Sequence, residues 1–169
     1  MSLTCVADVL ARVDRSGLSG VQPLVLSVGL VQLRLRCAGT LRADLAAYFA
    51  DVLAEDTPDA IEIDILEGQS LDPAPDWVDW AREPGKTGRK DSYVDLPGGR
   101  LVRKVRTGMV FLQSERHRIA AGPCRKYDNQ VINFINSQYM NWLQNRGWLI
   151  CHAAGLVSRG KCLGIAGFS

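Results

Sequence analysis

The segment DNQVINFINSQYMNWLQNRGWLICHAAGLVSRGKCLGIAGFS, residues 128–169, shows the order of structural elements most clearly. Apolar side chains recur at helical spacing from Val131 to Trp142, and Asp128 stands where a helix N-cap is expected. Gly147 follows at the position where a glycine commonly ends a helix. We therefore predict a helix that packs along one broad side and ends just before this glycine.

Two short strands are expected after this helix. Residues 148–157 and residues 162–166 are apolar runs that predict buried strands, and Ser-Arg-Gly-Lys at residues 158–161 predicts a tight turn between them. The second strand leads directly into Gly167, Phe168 and Ser169. A strand followed by glycine is how a phosphate-binding P-loop, G-x-x-x-x-G-K-[ST], begins, and it is also typical of an ordinary turn.

The chain before this segment predicts strands, a short helical piece at residues 8–13 and one longer helix. Residues 24–36 alternate in polarity with a change of phase at Gly29, which predicts either two strands or a bulge at this glycine. Thr40 is a candidate N-cap for a helix that reaches about Leu53. The strand and helix patterns together indicate a mixed α/β fold.

The middle of the chain predicts a strand, a loop and a hairpin. Residues 61–65 alternate as a half-buried strand, whereas residues 72–90 are rich in proline and glycine and predict a loop. Within the loop, Trp77 and Trp80 are expected to anchor it on the core. Residues 93–111 predict a hairpin with a glycine turn.

Composition excludes several classes of protein. The 169 residues are 47% hydrophobic and 22% charged, which excludes collagen-like, coiled-coil and disordered chains. No apolar run approaches the roughly 20 residues of a membrane span, so we expect no membrane partner. The five cysteines form no C-x-x-C pair, which favours free thiols and a cytoplasmic location.

Charge is distributed unevenly along the chain. Residues 1–81 carry 5 basic and 13 acidic side chains, whereas residues 82–169 carry 15 basic and 5 acidic ones. This pattern fits two solvated faces that attract each other, and it fits equally an anion-binding surface in the second half. The candidate residues for binding phosphate or an acidic acceptor are Arg103, Lys104, Arg106, Arg116 and Arg118. Nucleic acid is the weakest candidate partner, since Phe111 is the single aromatic residue of Arg100–Arg118.

The histidines and cysteines offer few other sites. His152 lies in the apolar run before Gly167 and fits either a core histidine or a residue near a nucleotide or acceptor. His117 and Cys124 are seven residues apart without a second pair, so no metal site is expected. Cys151 and Cys162 could face each other across the final hairpin, and we expect buried thiols there rather than a disulfide or a nucleophile. No residue is assigned a catalytic role.

Residues 129–169 resemble the beginning of the kinase domain in HPr-kinase-related proteins, in the branch called HprK-related kinase B. The resemblance rests on a helix that leads into Arg146-Gly147, on a histidine-alanine pair at His152-Ala153, and on a short hairpin that runs to Gly167. It is looser over residues 20–125, where no motif supports it.

The resemblance implies a mixed α+β sheet region, residues 1–127, that leads into the start of a phosphoenolpyruvate-carboxykinase-like P-loop kinase core, residues 128–169. It implies ATP and Mg²⁺ as cofactors, and phosphoryl transfer to a hydroxyl of a carrier protein or a small molecule. The nucleotide-binding residues would be Gly167, Phe168 and Ser169, with His152 near the site. Related kinases are often oligomers, so a homo-oligomer is also implied.

This sequence departs from the family pattern in one important respect. The P-loop lysine, its Mg²⁺-binding hydroxyl residue and the acidic residues beyond them have no counterpart here, and phosphoryl transfer depends on those groups. We therefore expect the chain to be the inactive N-terminal portion of an ATP-dependent kinase. The alternative is a non-catalytic module that binds a partner protein.

Overall fold

The computed structural model describes residues 3–70 and 76–166. Its helices are α1 (Val6–Leu10), α2 (Thr40–Tyr48) and α3 (Asp128–Gln144), and short 3₁₀ turns lie at Ser16–Leu18 and Ala50–Val52. Its strands are β1 (Leu24–Val28), β2 (Val31–Arg36), β3 (Ile61–Glu67), β4 (Val78–Asp79), β5 (Asp91–Leu96), β6 (Gly99–Lys104), β7 (Val110–Ser114), β8 (Arg118–Gly122), β9 (Ala154–Ser158) and β10 (Lys161–Ile165).

Strands β1–β8 form one mixed sheet in the order β1-β2-β3-β8-β7-β6-β5-β4. β3 is parallel to both of its neighbours, β2 and β8, whereas all other adjacent pairs in this sheet are antiparallel. α2 connects β2 to β3, and the ribbon β4–β7 lies between β3 and β8 in the chain. The fold is therefore mixed α/β, with a large, mostly antiparallel sheet and few helices.

One face of the sheet is covered by α2 and α3. Ile63 of β3 and Phe111 of β7 point to this face, where the Phe111 ring stacks on Phe134 of α3 with centroids 4.8 Å apart. Leu45 of α2 and Ile135 of α3 belong to the same buried cluster. α3 thus shares one core with the strands, and the predicted boundary between residues 127 and 128 lies inside that core.

The opposite face is covered by the segment that contains α1. Val110 and Leu112, the neighbours of Phe111 in β7, point to this face because side chains alternate along a strand. They pack with Val9 of α1. β3 is therefore covered on both sides, not half-buried as predicted: Asp64 is buried and forms ion pairs of 2.7 Å with Arg36 and 3.0 Å with Arg15.

The predicted strand pair at residues 24–36 is confirmed. β1 and β2 pair in antiparallel fashion across Gly29, whose φ of 57° lies in the left-handed region that glycine accepts most readily. The prediction for the next helix was inaccurate at both ends. Gly39, not Thr40, occupies the N-cap of α2, and the helix ends at Tyr48.

The predicted hairpin at residues 93–111 is confirmed in its first half. β5 and β6 pair around the turn at residues 97–98, but a turn at residues 105–108 separates β6 from β7 where a single long strand was expected. Trp77 packs on the buried cluster next to α1, as expected for an anchor. Trp80 remains 47% exposed and contacts the Tyr93 ring of the ribbon.

The two ends of α3 differ from each other in how well they were predicted. Tyr127, not Asp128, is the N-cap, and the Asp128 carboxylate accepts the backbone N–H of Asn129 at 2.7 Å. At the other end, Gly147 has a φ of 81° and donates to the carbonyl of Gln144. Together with the bond from Trp148 N–H to the carbonyl of Leu143, this forms a Schellman motif with glycine at C′, as the sequence predicted.

β9 and β10 form a separate two-stranded sheet. Arg159 and Gly160 both have positive φ, 48° and 74°, which is the signature of a type I′ turn. The hairpin and its turn were predicted correctly, but β9 begins at Ala154 and not at residue 148, and the prediction of buried strands was wrong. Every residue of both strands is exposed, because no helix or further strand among the described residues covers either face.

Within residues 3–70 and 76–166, no helix combines the length and the apolar character that crossing a membrane requires.

Candidate functional site

The predicted nucleotide-binding residues Gly167, Phe168 and Ser169 lie outside the described residues. β10 ends at Ile165, two residues before them. His152, the predicted neighbour of the nucleotide, is exposed in the segment that precedes β9. It does not sit in a core, so the core interpretation of this histidine was wrong.

The five predicted anion-binding residues lie in two groups at opposite ends of the ribbon. In the sheet register, Arg118 of β8 is level with Gln113 of β7 and Arg100 of β6. Arg103 is three residues further along β6, or about 10 Å at the usual rise of a strand. Lys104 and Arg106 follow Arg103, and Arg116 precedes Arg118. The fold thus does not gather these five side chains around one anion.

Two of the five are already engaged within the ribbon. The Arg103 guanidinium lies 4.7 Å from the centroid of the Trp77 ring and donates to Ser92 Oγ at 3.1 Å. Lys104 Nζ forms an ion pair of 2.7 Å with Asp91. These contacts tie the loop at Trp77 and strand β5 to β6, which is a structural role.

The other three are less constrained. Arg106 and Arg116 are exposed, and neither forms a hydrogen bond or an ion pair with any part of the chain that the structure describes. Arg118 is half-buried, and its Nη2 donates to the carbonyl of Glu115 at 2.9 Å. Burial lowers the pKa of Arg118. No carboxylate among the described residues forms an ion pair with it.

Arg118 lines a pocket of about 520 Å³ between the C-terminal half of α3 and one end of the sheet. The sheet contributes the first residue of β3, the end of β7, the turn after it and the start of β8. The helix contributes three residues of its last two turns, and the two residues that follow its end also line the pocket. The lining residues are Ile61, Gln113, Ser114, Glu115, Arg118, Gln138, Asn141, Trp142, Asn145 and Arg146.

Gln138 is the least exposed of the polar residues that line this pocket, at 2%. Its Nε2 donates to the Phe134 carbonyl at 3.2 Å and to Ser137 Oγ at 3.1 Å. Its Oε1 has no hydrogen-bond partner. Rotating the amide by 180° would place Oε1 against the Phe134 carbonyl, an acceptor against an acceptor, so the orientation shown is the favourable one.

Cationic and aromatic side chains form another part of the pocket wall. The Arg146 guanidinium lies 3.8 Å from the centroid of the Trp142 ring, a close cation–π contact, and donates to the Trp142 carbonyl at 3.4 Å. Arg118 and Arg146 supply two positive charges, and Glu115 supplies one negative charge. The pocket can therefore accept a polar molecule with a net negative charge.

The sequence contained a signal for this pocket. Gln138, Asn141 and Asn145 recur at intervals of three and four residues, so an uncharged polar stripe was visible along the predicted helix. The sequence alone does not show which surface of the protein this stripe faces. Arg118 was predicted to bind anions, but Gln113 and Gln138 were not singled out.

The cysteines provide no activated nucleophile in the core. Burial raises the pKa of Cys37 to about 11 and that of Cys124 to about 12. A buried thiol of high pKa is almost entirely protonated at neutral pH and unreactive. Cys151 and Cys162 are exposed, so the prediction that they are buried was wrong, and Cys162 pairs in register with Val157 instead.

No group of three or more histidine, cysteine, aspartate or glutamate residues is placed to hold a metal ion in the described ranges. Comparisons of the chain with protein-family models, with curated proteins and with solved structures found no match in any of the three. The pocket and the exposed hairpin are accordingly interpreted from their own chemistry.

Proposed function

We propose that this protein is the N-terminal portion of an ATP-dependent kinase that resembles HPr kinase and transfers phosphate to a hydroxyl of a protein or a small molecule. In this proposal, residues 128–169 begin a phosphoenolpyruvate-carboxykinase-like P-loop core. The residues that would hold the phosphates of Mg²⁺-ATP are Gly167, Phe168, Ser169 and the lysine that a P-loop requires. A cytoplasmic location is part of the proposal and accords with five free cysteines.

The observation that carries this proposal is the exposure of an apolar hairpin. Leu156, Val157, Leu163 and Ile165 of β9 and β10 are all more than half exposed. A lone two-stranded hairpin is marginally stable in water, and a cluster of exposed apolar side chains commonly marks an interaction surface. Further strands and helices of a kinase core would cover these side chains.

The path of the chain also supports the proposal. The Schellman motif at Gly147 ends α3 sharply, and the type I′ turn at Arg159-Gly160 returns the chain along β10 towards Gly167. A strand that feeds a glycine-rich loop is the arrangement in which backbone N–H groups cradle phosphate oxygens. The order helix, hairpin and glycine is the order on which the family resemblance rests.

The test is the coding sequence that follows codon 169, together with the activity of its product. The proposal expects a second glycine, a lysine and a serine or threonine at P-loop spacing from Gly167. The protein that carries them should bind ATP with Mg²⁺, and replacing the lysine by alanine should abolish phosphoryl transfer from labelled ATP. A following sequence without such a lysine would overturn the kinase proposal.

The exposed hairpin also favours a second candidate, the non-catalytic module that binds a partner protein. In that case β9 and β10 would dock on the partner, and variants that replace Leu156 and Leu163 by serine would lose the partner without changing ATP binding. In the kinase, the same variants would weaken ATP binding because the hairpin positions the phosphate loop. Residues 1–169 alone should bind Mg²⁺-ATP weakly in both cases.

A further inference from the structure

We propose that the pocket between α3 and the β7–β8 turn binds a small organic anion that also carries an N–H or O–H donor. Nothing in the kinase proposal assigns a role to this pocket. Its lining residues lie in β3, β7, the β7–β8 turn, β8, α3 and the two residues after α3, and none of them belongs to β9 or β10. A result that contradicts one proposal therefore does not contradict the other.

The requirement for a donor comes from Gln138. A buried amide oxygen without a hydrogen-bond partner is costly, and such groups are uncommon in native proteins. Because Nε2 of the same side chain is held by Phe134 and Ser137, the amide of this pocket-lining residue is fixed in orientation and Oε1 is left without a partner. A ligand N–H or O–H that donates to Oε1 would remove this cost.

The requirement for negative charge comes from the arginines. Arg118 is half-buried, without a carboxylate partner in the described part of the chain, and its planar guanidinium suits a carboxylate or a phosphate. Arg146 adds a second positive charge at the pocket wall. An anion that enters the pocket would accept hydrogen bonds from the Arg118 guanidinium, which burial has already partly desolvated.

The remaining lining residues match an organic ligand better than a bare ion. Gln113, Asn141 and Asn145 supply amide groups that both donate and accept, and Ile61 and Trp142 supply apolar surface. The volume of about 520 Å³ lies within the range of small-molecule sites, roughly 300–1,000 Å³, and greatly exceeds the space an inorganic ion needs.

The experiment is a ¹⁵N NMR titration of residues 1–169 with matched probes. N-acetylglycine carries a carboxylate and an amide N–H, acetate carries the anion alone, and N-acetylglycinamide carries the donor alone. Glycerol 3-phosphate tests whether a phosphate ester is preferred to a carboxylate. We expect shifts at the side-chain amide of Gln138 and at Arg118 Nε with N-acetylglycine or glycerol 3-phosphate, and binding at least about tenfold weaker for the two partial probes.

Two variants with a matched control complete the test. Gln138→Met removes the unpaired acceptor, so it should raise the melting temperature of the free protein and weaken binding of the probe at least about tenfold. Arg118→Met should weaken binding similarly, whereas the control Arg125→Met, which removes an exposed arginine beyond the other end of β8, should not. The proposal is overturned if no probe shifts Gln138, or if Gln138→Met leaves both the melting temperature and binding unchanged.

Discussion

Two antiparallel strand pairs in this protein have nearly the same length but opposite environments. β1 with β2, and β9 with β10, each form five residue pairs around a tight turn, and every one of these strands carries leucine. Leu33 of β2 is 2% exposed, whereas Leu163 of β10 is 58% exposed. The difference shows that the burial of a strand leucine depends on the helices that cover the strand, since the leucines of one pair are buried and those of the other are exposed.

The comparison can be tested most directly by the same substitution in both pairs. Leu33→Ala should lower the free energy of unfolding by about 2–5 kcal/mol, because it leaves a cavity between the sheet and α2 and α3. Leu163→Ala should change it by less than about 0.5 kcal/mol, as for other exposed positions. Urea unfolding followed by circular dichroism measures both. A similar loss in the two variants would mean that the hairpin is packed against the main sheet.

Cysteine reactivity gives a second contrast between the regions. Cys37 and Cys124 lie in the core with pKa values raised by burial to about 11 and about 12, so at pH 8 very little thiolate is present. Cys151 and Cys162 are exposed and should react with iodoacetamide at least about a hundredfold faster. Mass spectrometry after a short labelling pulse measures the ratio. Equal labelling in the folded protein would contradict the assigned burial, and a chemically unfolded sample is the control.

Glycine-to-alanine substitutions test the same difference between the main sheet and the hairpin, with a smaller expected loss of stability. A Cβ at Gly99 would lie 2.8 Å from the Gln113 carbonyl oxygen and 2.8 Å from the Val6 side chain, whereas a Cβ at Gly164 would meet nothing within 4 Å. Gly99→Ala should therefore destabilise the protein by about 1–3 kcal/mol, because the β6–β7 backbones must separate. Gly164→Ala should be neutral within about 0.5 kcal/mol, and urea unfolding followed by circular dichroism measures both variants. A destabilising Gly164→Ala would indicate close packing on β10.

The smallest expected effect is the titration of Asp8 at acidic pH, which should change only the region around α1. Hydrogen bonds from Thr4 and Cys5 at the start of α1 lower the pKa of Asp8 from 3.8 to about 2. A carboxylate with a lowered pKa contributes its stabilisation above its unfolded pKa, near 4, and loses it as the pH falls through 2.

Nuclear magnetic resonance at decreasing pH measures this effect. Amides of Thr4 and Cys5 should shift between pH 4 and pH 2 as Asp8 protonates. Amides of β9 and β10 should not, because residues 154–165 contain no acidic side chain and no histidine. Asp8→Asn is the control in which the titration at Thr4 disappears. Titration of the hairpin amides over the same range would instead indicate contact with acidic groups of the main sheet.

The sequence predicted those elements that depend on residues close together in the chain. Gly29 and the pair Arg159-Gly160 specify turns because they accept positive φ, and Gly147 ends α3 for the same reason. Period-two alternation placed β2, where Val31, Leu33 and Leu35 are buried and the residues between them are not. The stripe of amide side chains on α3 was also visible before the fold was known.

Tertiary structure alone decided which of these surfaces are covered and which face one another. Asp64 belongs to a strand predicted to be half-buried, yet Arg15 and Arg36 enclose it, and the apolar β9–β10 hairpin is exposed because no element of the described structure covers it. Gln138 and Arg118 are 20 residues apart in sequence but line one pocket. Sequence encodes the conformational preference of each segment, but long-range packing determines which segments share a core, and that depends on the whole chain at once.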